Sequence, residues 1–71
     1  MERQIRVGGK YRHFKGKEYE VVCIAKHSET LEELVVYRAL YGDRDVWVRP
    51  LSMFLDTVIR DGVEKPRFQE I

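Results

Sequence analysis

Three groups of residues in this chain could do chemistry. The first is the run His27-Ser28-Glu29-Thr30, which sets an imidazole, a hydroxyl and a carboxylate side by side. A hydrolase reading of it fails on geometry. Consecutive residues in a strand or loop point in different directions, and a nucleophile needs its base oriented against it in space. No glycine pattern of a nucleophile elbow surrounds Ser28. What remains is an acid–base pair of His27 and Glu29, since an imidazole near a carboxylate can titrate near neutral pH. The bland reading is a strand end at which Ser28 or Thr30 satisfies loop amides.

The second group is His13, Cys23 and His27. It offers at most three metal ligands, at spacings that match no closed zinc motif. Cys23 and His27 would share a face only on a helix, and the run around them reads as a strand. No metal site and no cofactor is expected.

The third group is aromatic. Tyr37, Tyr41 and Trp47 lie close together, with Tyr11 and Tyr19 upstream and Arg12, Arg49 and Arg67 among them. Tyr and Trp combine an apolar body with a polar tip, which suits a half-exposed groove as well as a core. Arginine beside such rings can stack and hold an anion. The ligand set expected on these grounds is Arg12, His13, His27, Glu29, Tyr37, Tyr41, Trp47, Arg49 and Arg67. Its partner would be a peptide, a nucleotide or a single-stranded nucleic acid.

These residues need elements to hold them. Leu34–Pro50 (LVVYRALYGDRDVWVRP) reads as two β-prone arms joined by a polar link containing Gly42. Side chains alternate across a strand. Val35, Tyr37, Ala39 and Tyr41 therefore share one face of the first arm. Val46 and Val48 lie opposite Trp47 and Arg49 on the second. Both faces of the first arm are largely apolar, which predicts an interior strand.

Upstream, Tyr11–Phe14 and Glu18–Lys26 predict a hairpin about Lys15-Gly16-Lys17. The apolar middle of the second of these strands makes Cys23 a buried hydrophobe. His27–Glu33, with Leu31 as its one strong apolar residue, predicts a loop or a single helical turn. Downstream, Pro50 opens a short 3₁₀ or α turn through Phe54. Asp56–Arg60 predicts a strand, Asp61-Gly62 a turn, and Pro66–Ile71 a last edge strand. Five or six short antiparallel strands and one such turn predict an all-β fold, a small SH3-like barrel. An OB-like barrel would want a longer helix.

The chain has 71 residues, 13 basic and 12 acidic, with formal charge +1. That length predicts one domain over 1–71, with 1–7 as a flexible tail, near the lower size limit for unaided folding. The balanced charge gives no general case for nucleic acid or anionic membrane, and leaves only local patches. A lone cysteine makes no internal disulfide. No run has the length of a transmembrane helix and no leader is evident. These points together predict a cytosolic monomer without membrane contact.

The motifs Tyr11-Arg12-His13-Phe14-Lys15-Gly16, His27-Ser28-Glu29-Thr30, Val36-Tyr37, Leu40-Tyr41-Gly42-Asp43, Trp47-Val48-Arg49-Pro50, Met53-Phe54 and Pro66-Arg67-Phe68 resemble, in order, domain-of-unknown-function family 1653. The likeness runs from about Gly8 to Ile71. It implies a small β-rich fold found in short bacterial proteins. It implies no activity, cofactor or catalytic residue. Two expectations follow: a non-enzymatic binding module with an aromatic and arginine groove, and, as the alternative, a small enzyme or modified-base handling domain using His27 and Glu29.

Overall fold

The computed structural model describes residues 5–71. The β-prone runs form β1 (Lys10–His13), β2 (Glu18–Lys26), β3 (Glu33–Ala39) and β4 (Val46–Pro50). A four-residue helix, α1 (Leu51–Phe54), follows Pro50 directly. Then come β5 (Thr57–Arg60), β6 (Val63–Pro66) and β7 (Phe68–Glu70). The all-β reading holds, with seven strands among the described residues in place of five or six. They form one antiparallel sheet of order β4-β3-β2-β1-β7 and a separate β5-β6 hairpin. Among the described residues no ladder closes the larger sheet into a barrel, so β4 and β7 are its edges.

The strand absent from the sequence reading is β6. Asp61 and Gly62 both have positive φ, 54° and 76°, the backbone a two-residue hairpin turn requires. The chain therefore reverses at once into Val63–Pro66 and does not run on to a single terminal strand. Pro66 ends β6, where its missing amide is harmless, and β7 pairs with β1 instead.

Alternation works as expected in β3. Val35, Tyr37 and Ala39 are buried on one face. It fails in β2. Val21 pairs with Tyr37, but the next partner of β3 residue Val36 is Cys23, so Val22 is an extra residue in a β-bulge. The bulge resets the alternation. Val21 and Ile24 both pack toward the core, and Cys23 is exposed rather than buried.

The core on that face is aromatic. Phe54 from α1 stacks on Phe68 from β7, with centroids 4.1 Å apart and planes 3° from parallel. Tyr11 and Tyr37 meet Phe54 edge-on at 5.4 and 5.6 Å. This is where the four-residue helix matters: it is too short to bury a stripe, yet it delivers one fully buried ring.

The segment 5–9 is tied in. Ile5 packs against the core, the Arg6 amide donates to the Tyr11 hydroxyl (3.0 Å), and the Gly8 amide donates to the Val21 carbonyl (2.8 Å). Residues 1–4 of the expected tail lie outside the described residues. No helix among the described residues is long and apolar enough to cross a membrane.

Candidate ligand-binding face

Trp47 on β4 lies directly across from Tyr37 on β3, and Arg49 lies across from Val35. Directly paired residues point to the same side. The indole and the guanidinium therefore flank the core face, as the alternation in the sequence required. Their exposures differ because β4 is an edge. Tyr37, with neighbours on both sides, is 5% exposed; Trp47 is 52% exposed.

Arg49 connects the rim to the floor. Its Nε donates to the Tyr37 hydroxyl (3.3 Å), and its guanidinium carbon lies 5.6 Å from the centroid of the Phe68 ring. Both contacts leave part of the planar cation available. On the other side, Tyr19 meets Tyr37 edge-on at 5.3 Å and Tyr41 at 5.5 Å. The Tyr19 and Tyr41 hydroxyls are 2.6 Å apart. Lys17 sits over the Tyr41 ring at 4.6 Å. Burial and this hydrogen bond push the Tyr19 phenol up to about 12, so it stays neutral and available as a donor or acceptor.

His13 borders the same face, edge-on to Phe68 at 5.0 Å. Burial, then the positive charges of Arg49, Arg67 and Lys15, hold its pKa below the usual 6.5. Its Nδ1 accepts the Lys15 amide (3.2 Å), so the neutral ring carries its proton on Nε2. Of these causes the neighbouring positive charges, and not the burial, also favour an anion.

Arg67 is engaged in the fold. It forms a two-pronged contact with Asp56, Nε to Oδ1 at 2.6 Å and Nη2 to Oδ2 at 3.3 Å. Its backbone amide also donates to the Asp56 carbonyl. The pair clamps the start of β7 to the link after α1, and the carboxylate raises the Arg67 pKa.

Arg12 points elsewhere. It pairs with Glu18 at 3.0 Å and lines a cleft of about 270 Å³ with His13, Phe14, Gly16, Lys65, Pro66 and Gln69. This cleft lies between the β1–β2 turn and the β6–β7 junction, away from Trp47.

His27 and Glu29 form part of a local loop. The His27 Nδ1 accepts the amides of Glu29 (3.1 Å) and Thr30 (3.3 Å). The Thr30 hydroxyl accepts the Glu32 amide (3.2 Å), and the Leu31 amide bonds the His27 carbonyl (2.9 Å). The imidazole meets Glu29 through its backbone. This bonding holds Leu31 at φ 62°, an uncommon conformation for a non-glycine residue. Among the described residues no group of three His, Cys, Asp or Glu is placed to hold a metal.

A model of a family described as "protein of unknown function (DUF1653)" matches residues 9–70. The chain belongs to this family. A crystal structure of a DUF1653 protein from Bordetella bronchiseptica is similar at a TM-score of 0.82 and 35% identity, over 90% of this chain and 85% of that one. No curated protein matches the chain. DUF1653 membership accounts for the fold and adds no site residue, so the site rests on the geometry above.

The structure thus brings Tyr37, Tyr41, Trp47, Arg49 and His13 to one face. Arg67 stands behind it, Arg12 lies in the cleft, and His27 with Glu29 occupies the β2–β3 loop. Lys17 and the cleft residues Lys65 and Gln69 were missed. Lys17 stood only as a turn residue, and Lys65 was hidden with β6.

Proposed function

We propose that this DUF1653 protein is a binding module whose face of Trp47, Arg49, Tyr19, Tyr41 and Lys17 takes a short single-stranded nucleic acid. The supporting observation is a half-exposed indole on the same face as two available cations. Bases stack on exposed aromatic rings, contributing about 1–3 kcal/mol each. Arg49 and Lys17 would meet phosphates, and Arg67 and Lys15, whose charges reach His13 together with that of Arg49, add to the positive setting. Presentation of a groove by a small, bent, SH3-like sheet is part of this reading, as is a cytosolic setting in which the exposed Cys23 stays reduced.

The face has few cations, so affinity should be modest and salt-sensitive. Trp47 is the chain's one tryptophan and reports directly. Titration with short RNA and DNA oligonucleotides should quench its fluorescence, and raising salt from 50 to 200 mM should weaken the effect severalfold. Quenching by proline-rich peptides instead would point to a peptide module. Absence of both responses would remove the proposal.

A further inference from the structure

The two edges of the five-stranded sheet are finished differently. An open edge carries unpaired amides and carbonyls, and proteins usually shield it with charge, proline or shortness. β7 has two of these: it spans only three residues and contains Glu70. β4 ends in Arg49-Pro50, but ahead of them it exposes three apolar residues in a row, Val46, Trp47 and Val48, at 50, 52 and 60%.

The hydrogen-bond phase of β4 follows from one contact. The Ala39 amide donates to the Asp45 carbonyl (2.9 Å), and the register continues as Tyr37↔Trp47 and Val35↔Arg49. Closely bonded pairs alternate along an antiparallel ladder. Residues 45, 47 and 49 therefore direct their backbone polar groups at β3. Val46 and Val48 direct theirs outward. Pro50, the next outward position, has no amide to leave unpaired.

We infer that β4 pairs with β4 of a second copy of this chain, antiparallel about a two-fold axis at Trp47. That register is self-complementary. Val46 and Val48 of the two copies exchange amide–carbonyl bonds, Trp47 meets Trp47, and Asp45 lies opposite Arg49 at both ends. The side chains of 45, 47 and 49 share one face, so the opposite charges meet beside the indoles. Slipping the register by two residues sets Trp47 against Arg49 or Asp45 and loses the Asp45–Arg49 match at both ends. The association departs from the expected monomer, and it joins two aromatic faces edge to edge. A strand this short makes a small interface, so the dimer is weak and concentration-dependent.

Sedimentation equilibrium from micromolar to millimolar protein tests it. The mass should rise from 8.5 kDa toward twice that value. Val48→Pro removes only an outward amide, so it should keep the fold and stay monomeric throughout. Asp45→Arg sets like charges together at both ends and should weaken association about tenfold or more. A mixed sample of labelled and unlabelled chains should show an intermolecular Trp47 Hα–Hα contact, which does not depend on any variant folding. A single 8.5 kDa species at every concentration, or a Val48→Pro or Asp45→Arg protein that dimerises like wild type, would overturn the inference.

Discussion

Tyr37 and Trp47 are cross-strand partners on one face of one sheet, yet one is sealed and the other half open. Residue type does not explain this. Tyr37 sits on β3, which has strands on both sides, and beneath it lie Phe54 and Phe68 at 5.6 Å. Trp47 sits on the edge strand, one position outward. The same aromatic chemistry thus serves as floor or rim according to strand position. Floor residues should carry stability, and rim residues should carry recognition.

The largest expected effect is on the floor. Phe54→Ala removes a fully buried ring that stacks on Phe68, and such losses cost about 3–5 kcal/mol. For a chain this small, with total stability of roughly 4–10 kcal/mol, the variant should be largely unfolded by circular dichroism at 37 °C. A native melting curve would mean the helix is not the keystone of this core.

Next comes the clamp behind the face. Arg67→Ala leaves Asp56 without its two-pronged partner. Partial exposure of the pair limits the loss to about 1–2 kcal/mol. Urea denaturation should detect this as a lower midpoint with an unchanged slope.

A smaller stability effect, with a larger effect on binding, separates rim from floor. Trp47→Ala should cost about 1 kcal/mol or less in stability, yet weaken oligonucleotide binding roughly tenfold. Stability and binding falling together would erase the distinction between Tyr37 and Trp47.

The smallest effects are in pH. His13 titrates below its ordinary 6.5 when folded, so the folded state binds fewer protons. Its contribution to stability is present above about pH 6.5 and is lost as pH falls through the folded value. Tyr19, raised from 10 to about 12, acts in the opposite sense. Its contribution is present below pH 10 and is lost between 10 and 12. Proton NMR of the imidazole should give a His13 midpoint under 6.5, moving up when a polyanion binds.

Much of the fold was legible because alternation is a local rule. It put Val35, Tyr37 and Ala39 on one face and aligned Trp47 with Arg49. The bulge at Val22 was not legible, because Val21, Val22, Cys23 and Ile24 are all apolar and the pattern does not mark the extra residue. Cys23 was misplaced for that reason. β6 was missed because Val63-Glu64-Lys65-Pro66 is mostly polar, although Asp61-Gly62 carried the turn signal. Within the site, the sequence did not mark that the His27 imidazole accepts the backbone amide of Glu29. The separation of Arg12 from Trp47 depends on which side of β1 faces the core, information that spans the whole sheet.

In the proposed function a ligand lands on the open half of the aromatic face. Mapping amide and indole chemical shifts during titration with a short single-stranded oligonucleotide tests it most directly. The shifts should centre on the Trp47 indole and on Lys17, Tyr41 and Arg49, leaving the His27–Glu32 loop unmoved. Shifts confined to that loop or to the Arg12 cleft, with Trp47 silent, would contradict it.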